Sequence, residues 1–325
     1  MIDGYFPVMR RLRVGLIWML GLCSFTLTAV GSEARRLKVL TSFLPVYCFT
    51  VNVAGDNADV ENLLAFNIEP HDYQLSRRDL QKLTEADLLI VNGLGLEQWL
   101  QKAFEVSLKS HPKRLVEVSA GLERELIYSS RNVRSSKNNT GFPEPGHSGY
   151  PNPHIWLDPR LVMHAVTNIV RALSQQDPLH ADGYAANGAA YIRKLEKLDA
   201  DLAKELRVAE GAAIVTYHDG FAYFARRYRI KVTGVIEPVP EVVPSLKYLA
   251  GLYQAMRVDR VQAVFTEAQS APRLARQVGS DLNLPVASLN TLEVGPLQAS
   301  AYEDEMRRNG MVLLKFLKPH AQALF

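Results

Sequence analysis

Short apolar runs and helical stretches alternate along this chain, and the alternation occurs twice, once on each side of a long helical pattern. Residues 37–41, 60–65, 88–91 and 115–118 are short, apolar and bounded by polar or Gly/Pro punctuation, the pattern of buried strands. Helical periodicity lies between them, over 76–85 and 97–108. The second series reads 213–217, 232–236, 263–266 and 286–289 as strands, again with helices between. Repeated strand-then-helix order produces parallel sheets covered by helices on both faces. Two such series predict an α/β protein of two lobes, residues 35–177 and 210–325. Between them, over 178–209, Tyr184, Tyr191, Leu195, Leu198, Leu202 and Leu206 recur at intervals of three or four residues or their sum. A helix of roughly 25 residues or more, about 40 Å long, is expected there. That exceeds what one lobe needs, so the helix is expected to bridge both.

The other segments are less regular. Residues 129–152 are rich in Ser, Asn, Gly and Pro and read as a surface loop. At the amino terminus Arg10, Arg11 and Arg13 precede an apolar run over 14–30, closed by small residues at Ala29 and Gly31. Basic start, apolar stretch and small-x-small site together make a secretory signal peptide, residues 1–31, with cleavage near Gly31. The competing reading is a membrane anchor of roughly 17 residues, at the short end of the spanning range. Export to the periplasm is the expectation. Cys23 offers a lipidation point, although Leu22 before it is bulky where bacterial lipidation signals carry a small residue. Cys48 is then the only thiol of the mature chain, which excludes an internal disulfide. The 37 basic and 34 acidic side chains are spread along the chain, which argues against a nucleic-acid partner.

Of the eight histidines, three share a local setting. His71 follows a strand and precedes a helix, His154 lies where the loop ends and a helix begins, and His218 directly follows the apolar run 213–217. Ligands of open α/β sheets bind beyond the carboxyl ends of the strands, and His71 and His218 stand there, one in each half. Imidazole is a good ligand for zinc and other first-row metals, and ligands from separate segments close a tetrahedral site. Spacing alone leaves both readings open, a metal site or unrelated surface and capping histidines. His111, His180 and His320 fit the second reading, His164 reads as structural, and His147 is a candidate auxiliary contact in the loop.

Longer motifs narrow the choice. Glu69-Pro70-His71-Asp72-Tyr73 leads towards Ala86-Asp87-Leu88-Leu89-Ile90-Val91-Asn92-Gly93. Further on come Asn152-Pro153-His154-Ile155-Trp156-Leu157-Asp158-Pro159, Tyr217-His218-Asp219 with Phe221 and Tyr223, and Phe265-Thr266-Glu267. In this order they resemble the zinc and manganese solute-binding proteins of bacterial ABC importers, the cluster A-I binding proteins, over nearly the whole mature chain. The resemblance implies two α/β lobes joined by one long rigid helix with metal in the cleft between them. It implies His71 and His154 as ligands from the first lobe and His218 from the second. The family's fourth ligand is usually an Asp; the matching stretch here is Leu289-Asn290-Thr291-Leu292-Glu293, so the register offers Leu292 or Glu293. Glu293 is the favoured fourth ligand, with Glu267 or a water as the alternatives.

Three imidazoles and one carboxylate suit zinc better than manganese. Manganese members of the family tend to carry a second carboxylate where His218 stands. The loop before His154 holds only His147 and Glu144 as metal-binding types, so a multi-histidine collecting role is not expected of it. Asp158 and Asp219 are candidates either to orient ligand imidazoles or to cap the following helices. Tyr73, Trp156, Phe221 and Tyr223 are expected chiefly in the core rather than as cleft walls. The resemblance implies a monomer that hands zinc to a membrane permease and is not an enzyme. The alternatives are a secreted zinc hydrolase and a surface adhesin on the same fold. The hydrolase lacks support, since the chain has no His-Glu-x-x-His and no Gly-x-Ser-x-Gly.

Overall fold

The computed structural model describes residues 35–71, 73–100, 103, 115–129, 149–238, 242–267 and 273–317. The expected signal peptide, most of the Ser/Asn/Gly/Pro-rich loop, His111, His147 and His320 lie outside the described residues. Among the described residues no helix is long and apolar enough to cross a membrane.

Two four-stranded parallel sheets form, and they share one strand order. The first is built from β1 (Leu37–Thr41), β2 (Ala58–Asn62), β3 (Leu88–Val91) and β4 (Leu115–Glu117), in the order β2-β1-β3-β4. Every residue of β3 is buried, as a central strand covered on both faces requires. Next in the chain, β5 (Tyr128–Ser129) and β6 (Tyr150–Pro151) make a two-stranded antiparallel ribbon. The second parallel sheet comprises β7 (Ala213–Thr216), β8 (Lys231–Val235), β9 (Ala263–Glu267) and β10 (Val286–Leu289), ordered β10-β9-β7-β8. Counted from the first strand of each sheet, both read 2-1-3-4. The chain therefore reverses direction between β1 and β3 in one lobe and between β7 and β9 in the other, and such switch points open a crevice at the strand carboxyl ends.

Helices α1 (Leu44–Ala54) and α2 (Arg77–Glu85) belong to the first sheet's connections, and α3 (Pro159–Gln176) follows the ribbon. The long helix α4 (Ala181–Leu206) has a single 3-10 turn at each end, Pro178–His180 and Arg207–Ala209. Its 26 residues span about 39 Å. The second sheet is accompanied by α5 (Ala222–Tyr228), α6 (Leu246–Val258), α7 (Arg273–Asp281) and α8 (Ala301–Phe316). Along α4 the expected stripe Tyr184, Tyr191, Leu195, Leu198, Leu202 and Leu206 is buried, and the helix packs on α1, α3, α5 and α8. One continuous apolar core consequently joins Val39 and Ile90 of the first sheet, Leu195 and Leu198 of α4, and Ile214, Phe265 and Met306 of the second lobe.

Two expected elements differ in extent. The strand expected at 60–65 runs two residues earlier, because Ala58 and Asp59 pair with Leu37 and Lys38 before the chain leaves the sheet at Asn62. The helix expected over 97–108 begins as a 3-10 turn, Gln98–Leu100, since Glu97 turns its carboxylate inward onto backbone N–H groups. Beyond it, residues 101–102 and 104–108 lie outside the described residues.

Candidate metal centre

Each of the four residues reaches the cleft from a different segment. His71 sits in the connection after β2, where the indole N–H of Trp99 donates to the Pro70 carbonyl (2.5 Å) and the Tyr73 hydroxyl donates to Asp79 (2.7 Å). Asp79 also closes the capping box of α2 with Ser76, so the start of that helix anchors the loop carrying His71. His154 begins the 3-10 turn Ile155–Leu157. Directly after it Trp156, fully buried, meets Phe43 edge to face at 4.8 Å and donates its indole N–H to the Thr291 carbonyl (2.7 Å) across the cleft.

His218 lies two residues past β7, next to the switch point between β7 and β9. A Cβ placed on Gly220 would come within 2.7 Å of its Nε2 and 2.8 Å of its Cε1, so only glycine at that position leaves room for the ring. Glu293 follows Leu292, whose φ of 64° is left-handed and whose side chain goes into the core. That kink settles the register: Leu292 is core, and the Glu293 carboxylate faces the cleft.

The four converge. One ligand atom from each of His71, His154, His218 and Glu293 lies within 4.8 Å of all the others. Glu293 Oε1 is 2.8 Å from His71 Nε2 and 3.3 Å from His154 Nε2, and His154 Nε2 is 3.2 Å from His218 Nε2. Glu293 Oε2 accepts from the Thr291 hydroxyl (2.9 Å). Glu267, at the end of β9, is not among the four: it contacts His218 Nδ1, on the side of the ring away from the cluster. Asn152 meets His154 Nδ1 at 2.7 Å in the corresponding way. Each of these two imidazoles thus has an outer polar partner, as metal-ligating histidines characteristically do.

Enclosure is uneven. His154 and Glu293 are buried, whereas 32% of the His71 side chain remains exposed, making it the most open of the set. Burial pushes the His154 imidazole down to about 4, against the pull of Glu293. Burial alone would also depress His71, but its hydrogen bond to Glu293 and that carboxylate's charge outweigh this and raise it. In His218 burial is likewise outweighed, here by Glu267, and its affinity for a proton is raised. Burial would raise Glu293, yet the imidazoles of His154 and His71 beside it hold it well below the usual carboxylate range. The cluster therefore keeps one fixed negative charge and three nitrogen donors in a largely dehydrated pocket.

Other sequence candidates have structural roles. Asp158 caps α3 by accepting from the Arg160 N–H and does not touch a site imidazole, because the 3-10 turn places it past the cleft. His164 Nε2 meets the Ala120 carbonyl, and His180 pairs with Asp177. Tyr223 and Phe221 are buried in the core. Sequence reasoning passed over Asn152, Thr291 and Gly220, although each stands within two residues of a named site residue; chemical type alone does not mark an amide, a hydroxyl or a glycine as part of a metal centre.

Two α/β lobes with three imidazoles and a carboxylate converging between them make a candidate metal-binding centre. The chain belongs to the family described as ZnuA, zinc-uptake complex component A periplasmic, whose model matches residues 39–315. Among curated relatives, the zinc-binding lipoprotein AdcA of Streptococcus pneumoniae (strain ATCC BAA-255 / R6) is 30% identical over 84% of this chain and 54% of its own length. The chain spans about half the length of the AdcA proteins it matches. The high-affinity zinc uptake system protein ZnuA of Bacillus subtilis (strain 168) is 28% identical over 93% of this chain and 90% of its own. A solved structure of the solute-binding protein FpvC from Pseudomonas aeruginosa in complex with Mn2+ is 25% identical, with a TM-score of 0.73, over 86% of this chain and 98% of that one.

Proposed function

We propose that this chain captures a divalent transition metal, zinc in the first place, and delivers it to the membrane permease of an ABC importer. His71, His154, His218 and Glu293 are its ligands in this reading. The observation that carries it is the convergence of four ligand atoms within 4.8 Å of one another, drawn from both lobes. A tetrahedral zinc with bonds of about 2.0–2.1 Å needs its ligand atoms about 3.4 Å apart. The contacts of 2.8, 3.2 and 3.3 Å and the outer span of 4.8 Å bracket that separation, so side-chain adjustment suffices to close the shell.

Zinc is favoured over manganese because three nitrogens and one oxygen are softer than the oxygen-rich sets manganese prefers. Four protein ligands leave no open position for a metal-bound water, which favours carriage over hydrolysis. Residues 35–177 and 210–325 act as the lobes and 178–209 as a brace. Since one apolar core runs through both lobes and the brace, closure on the metal is small. The chain is exported as a monomer through the signal at 1–31 and cleaved near Gly31 to a periplasmic form. Delivery follows when the permease docks the loaded protein and parts the lobes.

The test is metal content and zinc titration of the mature domain, purified without a metal-binding tag, beside His154→Ala. About one zinc per chain, lost or much weakened in the variant, is expected. Uptake of neither zinc nor manganese by the wild type refutes the capture function.

A further inference from the structure

Asn152 is 2% exposed, and every polar group it carries is engaged. Its backbone N–H donates to the Ile127 carbonyl (2.8 Å), and its carbonyl accepts from the Tyr223 hydroxyl (2.8 Å). The side chain works in two directions. Oδ1 accepts from the His154 backbone N–H at 3.0 Å and lies 2.7 Å from the ring Nδ1. Nδ2 donates at 2.6 Å to the carbonyl of Asp219, the residue after His218, in the other lobe.

These partners determine which end of the amide is which. A backbone N–H only donates and a backbone carbonyl only accepts, so the oxygen must face His154 and the nitrogen must face Asp219. With an acceptor 2.7 Å away, Nδ1 of His154 carries the hydrogen, and in the neutral ring the lone pair is left on Nε2. That lone pair and Glu293 Oε1 then face each other across 3.3 Å as two acceptors, an arrangement that a cation between them relieves.

We propose that Asn152 is a positioning residue for metal capture: one end of its amide sets the Nδ1–H tautomer of His154, and the other ties that ligand to the second-lobe segment bearing His218. The inference rests on the capture reading above. No other residue type meets both demands. Aspartate keeps the acceptor but turns an oxygen onto the Asp219 carbonyl, alanine abandons three buried polar groups, and glutamine is longer by one methylene.

The test reads the His154 ring in metal-free protein by imidazole nitrogen NMR, with zinc titration alongside, for wild type, Asn152→Ala and Asn152→Asp. The wild type is expected to hold hydrogen on Nδ1. Asn152→Ala is expected to shift the ring towards the Nε2–H form and weaken zinc binding about 10- to 100-fold. Asn152→Asp is expected to retain the Nδ1–H form. A wild-type ring with its hydrogen on Nε2 overturns the proposal without recourse to any variant. So does an Asn152→Ala protein that keeps the tautomer and binds zinc within about threefold of wild type. Because the tautomer is read without metal, the two failures are distinguishable: a chain that takes up no zinc fails the capture reading and with it the role in capture, whereas the wrong tautomer in a zinc-binding chain fails this inference alone.

Discussion

Replacing Gly220 by alanine isolates the second lobe's contribution to the metal centre. The added Cβ would stand 2.7 Å from His218 Nε2, whereas ordinary contact begins at 3.4 Å, so the ring must retreat by roughly 0.7 Å. Glu267 holds the opposite nitrogen, so the ring can yield only by pivoting, and the pivot carries Nε2 away from the cluster. Zinc–nitrogen bonds of about 2.0–2.1 Å tolerate displacements of roughly 0.2 Å. The variant should therefore lose the His218 bond, with a drop in zinc affinity of about 100-fold or more, some 2.7 kcal/mol. Gly220 does not have a left-handed φ, so the substitution adds no backbone strain there, and metal-free thermal stability should change little. The assay is a chelator-competition titration, with X-ray absorption at the zinc edge to count imidazoles. Affinity within about threefold of wild type and an unchanged imidazole count would refute the argument that Nε2 of His218 faces the metal.

Zinc affinity should rise with pH through and above 6.5, because His71 and His218, both raised, must shed protons to bind, while His154 at about 4 is already neutral; a profile flat from pH 6 upwards contradicts this. Metal-free stability should run the other way. The two raised imidazoles contribute fully below pH 6.5, and their contribution is lost as pH climbs through their folded values, a trend readable by thermal melts across pH. Glu97→Ala should destabilise the fold by about 3 kcal/mol or more in urea unfolding, since it strands the buried donors of Ser42, Asn92 and Gly93 at the ends of β1 and β3. Trp156→Phe should cost about 1–3 kcal/mol by the same measurement, because the Thr291 carbonyl loses the indole N–H it accepts across the cleft while the aromatic packing on Phe43 is retained.

Much of the fold was legible in local pattern. The apolar run 88–91 coincides with β3, because a strand covered on both faces has no use for polar side chains and its ends are marked by the first ones to appear. The long stripe from Tyr184 to Leu206 likewise declares α4, since helical periodicity sustained over so many turns has few other outcomes. Extents were less legible where pairing decides them. Nothing in Ala58 or Asp59 announces a strand; they are extended because β1 lies beside them. Glu97 reads as a helical residue and instead turns inward, because three donors converge on it only in the folded chain.

For the candidate site, the sequence by itself determined the chemistry on offer: three histidines in strand-end or helix-start settings and a late carboxylate, in an order that the family shares. Tertiary structure decided their relations. It brought the four ligand atoms within 4.8 Å, placed Glu293 rather than Leu292 in the cleft through a left-handed backbone at position 292, and moved Glu267 to the outer nitrogen of His218. It also placed Asn152, Thr291 and Gly220 against His154, Glu293 and His218. Residue type limits what a side chain can donate, accept or ligate, but distance and direction between segments as far apart as 71 and 293 exist only once two sheets and a shared core hold them in place.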